Sequence, residues 1–198
     1  MWKEAEKFLA KDKYIGPLIK SWGGCTIKFR PHKDYFTHLC GNIIGQQLSG
    51  RVADIIEDRF KIAVGGRVTA DNVINTPDQK LRDCGMSWGK VFYVKDLAER
   101  TKSGKLQTKK LMDLSDEEVI RELIAVKGIG RWTAEMFLMF SLARPDIFPV
   151  DDLGIKKGYE KVTGKKWDKV TAPKFAEKHW KPFRTVASWY LWRSLENR

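Results

Sequence analysis

Apolar residues recur every three or four positions through almost all of this 198-residue chain, and no other regularity constrains its fold so strongly. Segments such as "EEVIRELIA" and "TAEMFLMFSLA" carry the period of a helix, and glycine or proline marks the short turns between them. No run of β-branched residues alternates for long enough to build a sheet, and "CTIKF" is the only strand-like stretch. The spacing predicts helices near residues 2–10, 15–21, 33–46, 49–62, 77–84, 88–102, 116–126, 131–142, 152–162, 172–179 and 183–195. Local signals support several ends. Ser115 followed by Glu118 is a capping-box pattern, Thr76-Pro77 and Ala172-Pro173 put proline where a first turn tolerates it, and Arg144-Pro145 stops a helix. The expected fold class is all-α.

A chain of this length buries a true core without covalent staples, as one domain or as two small lobes. The three cysteines, Cys25, Cys40 and Cys84, are far apart and lack close ligand spacing, so they read as reduced core residues, and a zinc or iron-sulfur site is not expected. No apolar run approaches the length of a membrane span, and "MWKEAEKFLAKDK" reads as an amphipathic helix rather than a secretory signal, which places the chain in the cytoplasm. Lys and Arg number 37 against 25 Asp and Glu, and the formal charge of +12 favours a polyanionic partner such as nucleic acid. Any single lysine in "KKLMD", "GIKKGY" or "TGKKWDK" is better read as part of a solvated face. Of the eight tryptophans most belong to the core, which leaves two or three to line a pocket for a flat ring.

Two stretches carry chemistry. In "VKGIGRW", two glycines separated by Ile129 join two short helices. Glycine permits positive φ and close approach, and the first turn of the following helix offers backbone amides and the positive end of its dipole, so such a bend suits a phosphate. A plain turn between helices explains the heptapeptide alone equally well. About twenty residues on, "DIFPVDDLGIKKGY" sets Asp151 and Asp152 at a helix start. One aspartate there is an ordinary N-cap. Two suggest that one caps and the other is presented to a cleft, although double capping or an exposed charge pair also satisfies the pattern.

The run from Leu123 to Tyr159, with "IIGQQLS" at residues 43–49 and "LRDCGMSWGKVFYVKDLA" at 81–98, resembles the helix-hairpin-helix DNA glycosylase superfamily, specifically its 3-methyladenine DNA glycosylase II type. The likeness runs from about residue 32 to the end, and its two main motifs are "GIGRWTA" and the Pro-x-Asp-Asp loop. It implies one glycosylase unit over 1–198 made of two helical lobes with a cleft between them: a central lobe at 32–145, with the hairpin at 115–142, and a terminal lobe formed by 1–31 plus 146–198.

By the same resemblance Asp152 is the catalytic carboxylate and Asp151 is not. Gln47 is the wedge that fills the gap left by an extruded nucleotide, whereas Gln46 is as readily a hydrogen-bonding residue of the helix junction. Trp132, Met136 and Trp192 form the base pocket, with Trp189, Trp180 and Trp167 left to packing. Lys127, Gly128, Ile129, Gly130, Arg131 and Thr133 meet the DNA backbone. Bifunctional relatives carry a Schiff-base lysine just after the hairpin, and here that position is Trp132, so the implied enzyme is monofunctional, uses water and leaves an abasic site. Its partner is double-stranded DNA containing damaged bases, and it acts as a monomer.

The chain also departs from the type. About thirty residues before the first shared motif leave no room for the extra sheet domain of the longest members, and Leu153 follows Asp152 in place of an aromatic. No cysteine follows Cys84, so the carboxy-terminal iron-sulfur cluster of other branches is not expected. No cofactor is required, and the carbonyls of Val126 and Gly128 are the place for a sodium or potassium ion, should the hairpin take one. Two competing readings are a glycosylase with lyase activity and a non-catalytic DNA-binding protein that kept the hairpin.

Overall fold

The computed structural model describes residues 1–31 and 34–196, and among them the regular structure is entirely helical. Twelve α-helices follow one another: α1 Lys3–Leu9, α2 Gly16–Trp22, α3 Tyr35–Gly45, α4 Gly50–Ala63, α5 Ala70–Asn75, α6 Asp78–Asp83, α7 Trp88–Lys102, α8 Asp116–Ile124, α9 Arg131–Phe140, α10 Leu153–Thr163, α11 Thr171–Trp180 and α12 Arg184–Arg193. The expected start of the third helix at residue 33 lies outside the described residues.

Two expectations need correction. The sequence reading placed no helix between residues 62 and 77, where α5 stands. Thr69 caps it by accepting the Asn72 amide at 3.2 Å, yet six residues with only Val73 buried are too few to show a period. "CTIKF" forms no strand. It is tied instead to α1 and the residue before it, with the Trp2 indole donating to the Ile27 carbonyl at 2.7 Å and the Cys25 amide donating to Glu6 Oε1 at 2.7 Å. Extended chain whose polar groups find partners outside a ladder is loop.

The chain divides into two compact units, Met1–Phe29 with Leu138–Arg198, and Arg30–Phe137. The first is built on Leu9, Ile15, Ile155, Tyr159, Trp180, Val186, Tyr190 and Leu191, nearly all without solvent exposure. Helices α10 and α12 approach closely because α10 has no side chain where they touch: a Cβ on Gly158 would sit 2.5 Å from the Leu191 carbonyl oxygen. The loop ahead of α10 is fastened to α12. Arg184 grips Asp146 with both arms of its guanidinium (Nε to Oδ1 2.7 Å, Nη2 to Oδ2 2.8 Å), and the Thr185 hydroxyl donates to the Arg144 carbonyl at 2.6 Å while accepting the Ile147 amide at 2.9 Å. The second unit packs α7 against α3, α5 and α6, and buries Tyr35, Leu39, Ile43, Leu81, Val94, Leu97, Leu123 and Phe137. Two lysines of α7 satisfy helix-end carbonyls there: Lys90 donates to Ile44 and Gln46, and Lys95 to Ile74 and Thr76.

Candidate active site

In the unit that includes both chain ends, Asp152 stands in extended geometry just before α10 and caps it, Oδ1 accepting the Ile155 amide at 2.8 Å. The same oxygen accepts the Trp192 indole N–H from α12, also at 2.8 Å. Two donors fixed on two helices set the plane of this half-buried carboxylate. Gly154 permits the arrangement, since a Cβ there would lie 2.6 Å from Trp192 Cδ1 and 3.0 Å from Asp152 Oδ1. Asp151 is exposed and paired with Lys169 at 3.4 Å. Of the expectation that one aspartate caps and the other is presented to a cleft, the structure bears out the cap and not a cleft at Asp151. Asp152 caps, because its backbone has the N-cap conformation, and Asp151 faces solvent. The Trp192 ring is held from its other side by Phe140, 37 % exposed, with centroids 5.8 Å apart and planes at 30°. Trp180 is fully buried and Trp189 nearly so, while Trp167 stacks on Phe148.

The Arg30–Phe137 unit holds the two-glycine bend. Ser115 and Glu118 close a full capping box at the start of α8, Glu118 Oε2 accepting the Ser115 amide at 2.8 Å and the Ser115 hydroxyl accepting the Glu118 amide at 3.4 Å. These bonds to Ser115 hold the Glu118 carboxyl below its ordinary range. Ile129 is buried under the turn and its amide donates to the Val126 carbonyl at 3.1 Å. The two glycines differ. Gly128 has φ 80 and no room for a Cβ, which would fall 2.1 Å from the Tyr93 ring, whereas Gly130 needs no left-handed φ and a Cβ on it would meet nothing within 4 Å.

The cations of the bend are engaged within the chain: the Lys127 ammonium lies 4.5 Å from the centre of the Phe92 ring, and Arg131 pairs with Glu117 at 2.8 Å and with Glu135 at 3.2 Å. The bond to Glu117 raises the already high pKa of Arg131. Trp132, 42 % exposed, lies in the first turn of α9, Met136 follows half-buried one turn later, and Thr133 is buried. Between α3 and α4, Gln47 is exposed with φ 58, a left-handed backbone in a residue other than glycine. Its neighbour Gln46 turns inward, its amide donating to the Gly128 carbonyl at 2.8 Å.

All three cysteines are free, and burial pushes every thiol pKa upward, to about 11 for Cys25. Among the described residues no group of three or more His, Cys, Asp or Glu side chains is disposed to hold a metal, and no helix is long and apolar enough to cross a membrane.

Residues 40–185 match the family model described as HhH-GPD superfamily base excision DNA repair protein. The chain belongs to that superfamily. Among its curated relatives, DNA-3-methyladenine glycosylase 1 of Schizosaccharomyces pombe is 40% identical over 82% of this chain and 73% of its own. A putative DNA-3-methyladenine glycosylase of Bacillus subtilis is 33% identical over 99% and 75%. Among solved structures, the 3-methyladenine DNA glycosylase Mag1 of Schizosaccharomyces pombe, in complex with abasic DNA, superposes with a TM-score of 0.86 at 36% identity, covering 97% of this chain and 96% of that one. A Bacillus halodurans DNA-3-methyladenine glycosidase gives 0.84 at 34%, covering 97% and 88%.

Three residues of this HhH-GPD chain, two beside the Asp152 carboxylate and one beside Gln46, escaped sequence reasoning. Phe140 follows Trp132 and Met136 at four-residue spacing, a signal hidden because "MFLMF" is apolar all round. Gly154 sits beside the aspartates, and only the structure reveals what fills its missing Cβ. Lys90 lies in the first turn of α7, where a cation opposes the helix dipole, and that misplacement was the available clue.

Proposed function

We propose that this chain is a monofunctional DNA glycosylase that removes 3-methyladenine and related alkylated purines from double-stranded DNA and leaves an abasic site for base excision repair. The observation that carries the reading is the Asp152 carboxylate, fixed by the Ile155 amide and the Trp192 indole beside an aromatic pair. As the C1′–N bond breaks, its electron pair leaves with the purine and neutralises the positive charge of the alkylated ring, while the sugar becomes oxocarbenium-like. A preoriented anion stabilises that sugar and orients the water whose oxygen bonds to C1′, and the water proton is given up to the medium. A methylated purine is already a good leaving group and asks for no strong general acid. An aromatic face such as that of Trp192 suits such a cationic ring.

Reaching the base requires extrusion of its nucleotide, and the residue assigned to the gap is Gln47, a reading supported by its exposure on a left-handed turn. The bend supplies the grip. Gly130 has no reason within the protein to lack a side chain, which fits a phosphate pressed against its backbone at the start of α9. Lys127 leaves Phe92, and Arg131 its glutamates, to contribute electrostatic attraction along the strand. Trp132 stands where a lysine nucleophile would be needed for strand cleavage.

The test is release of free 3-methyladenine from methylated duplex by wild type and Asp152→Asn. Asparagine caps a helix as well as aspartate does, so the fold and the bonds at Oδ1 persist, and the rate should fall by about a hundredfold or more. Full activity in the variant, or a covalent complex trapped by borohydride with wild type, overturns the proposal.

A further inference from the structure

Three elements of the Arg30–Phe137 unit converge on Gln46. Its side-chain amide donates to the Gly128 carbonyl at 2.8 Å and lies 3.4 Å from the Thr133 hydroxyl, so it touches the bend on one side and the first turn of α9 on the other. Its own carbonyl accepts the Lys90 ammonium at 2.7 Å, and that ammonium also holds the Ile44 carbonyl at 2.7 Å, at the end of α3. The next residue is Gln47 with φ 58. A left-handed residue other than glycine is strained and persists only where its surroundings dictate it. Here what dictates it is the residue immediately before, pinned through both its backbone and its side chain. Lys90 is costly to keep there, since burial lowers its pKa and its charge opposes the dipole of α7.

We propose that Gln46, anchored by Lys90, is a positioning residue that couples the grip of the two-glycine bend on the DNA backbone to the projection of Gln47 into the duplex. The inference rests on the glycosylase reading for the identity of the duplex, but its geometry lies wholly within one compact unit. A phosphate drawn onto the bend pulls on Gly128. The bond from its carbonyl passes that displacement to Gln46, and Lys90 prevents Gln46 from answering by rotating its backbone, so the motion appears at Gln47. Without the link the bend still binds DNA, and Gln47 relaxes toward ordinary extended backbone.

Gln46→Met keeps the length and bulk of the side chain and removes its donor. On a duplex carrying 2-aminopurine beside a tetrahydrofuran abasic site, saturating variant should give about threefold less fluorescence rise than wild type. Its base release should fall about tenfold through kcat with KM little changed, and its Kd for undamaged duplex should stay within about threefold. In a Gln47→Ala background the same substitution should change fluorescence and rate by less than about twofold, because Gln46 acts only through Gln47. Equal losses in both backgrounds, or a loss of duplex affinity as large as the loss of rate, would make Gln46 a support of the bend alone and overturn the coupling. Should Gln46→Met fail to fold, Lys90→Gln severs the link from the other side, and the same cycle and expectations apply. Wild type that releases no methylated purine sinks the glycosylase reading, while the fluorescence cycle still decides the coupling.

Discussion

The carboxylate region and the hairpin region each depend on a pair of glycines, and the pairs are used differently. In α10, both Gly154 and Gly158 are filled from within, by the Trp192 indole and by the Leu191 backbone. In the bend, Gly128 is filled from within by Tyr93, but Gly130 looks onto open space. Three of these four glycines make the protein fit itself. The fourth meets nothing in its own unit and, on the proposed reading, leaves room for the DNA backbone. The carboxylate of Asp152 is already held by two donors, whereas on the proposed reading the bend is half of a contact whose other half is the DNA backbone.

That contrast can be broken by adding one methyl group at a time. The largest effect is expected at Gly128→Ala, where a left-handed φ and the Tyr93 ring both oppose the Cβ. Urea unfolding should show a loss of about 3 kcal/mol, with duplex binding lost in proportion. A smaller and chemically specific effect is expected at Gly154→Ala. The new methyl displaces the Trp192 indole from Asp152, so base release should slow about tenfold while stability falls by about 1 kcal/mol. Unchanged kcat there would mean that the indole bond is not what orients the acid. Gly130→Ala should leave unfolding within about 0.5 kcal/mol of wild type, since nothing in the protein meets the methyl. Fluorescence anisotropy should nonetheless report duplex affinity several-fold weaker. If Gly130→Ala destabilises the fold, or binds DNA normally, the contrast between the two regions fails.

How much of this was legible beforehand follows from the range over which each signal acts. The long helices were readable because amphipathic period is a local property, and so was the capping box at Ser115. The short α5 was not, because one buried valine makes no pattern. Asp152 was singled out through its motif, and an aspartate cap at that helix start was expected, but the bond to Trp192 was invisible because that partner lies forty residues away. Arg131 illustrates the opposite limit. As a cation beside a bend it reads as a phosphate contact, but the glutamates that engage it come from the preceding helix and from its own next turn. Sequence names the groups that could act, and only packing decides which of them are already occupied.

The sulfur chemistry of the chain has a consequence for a protein working among alkylated bases. Electrophiles that methylate purines also attack thiolates, and a repair enzyme with reactive cysteines would be consumed by the agents whose damage it removes. With Cys40 and Cys84 buried and Cys25 raised to about 11, all three sulfurs are protonated at neutral pH. The protein thus meets a methylating environment with its softest nucleophiles disarmed, by the same apolar packing that builds its core.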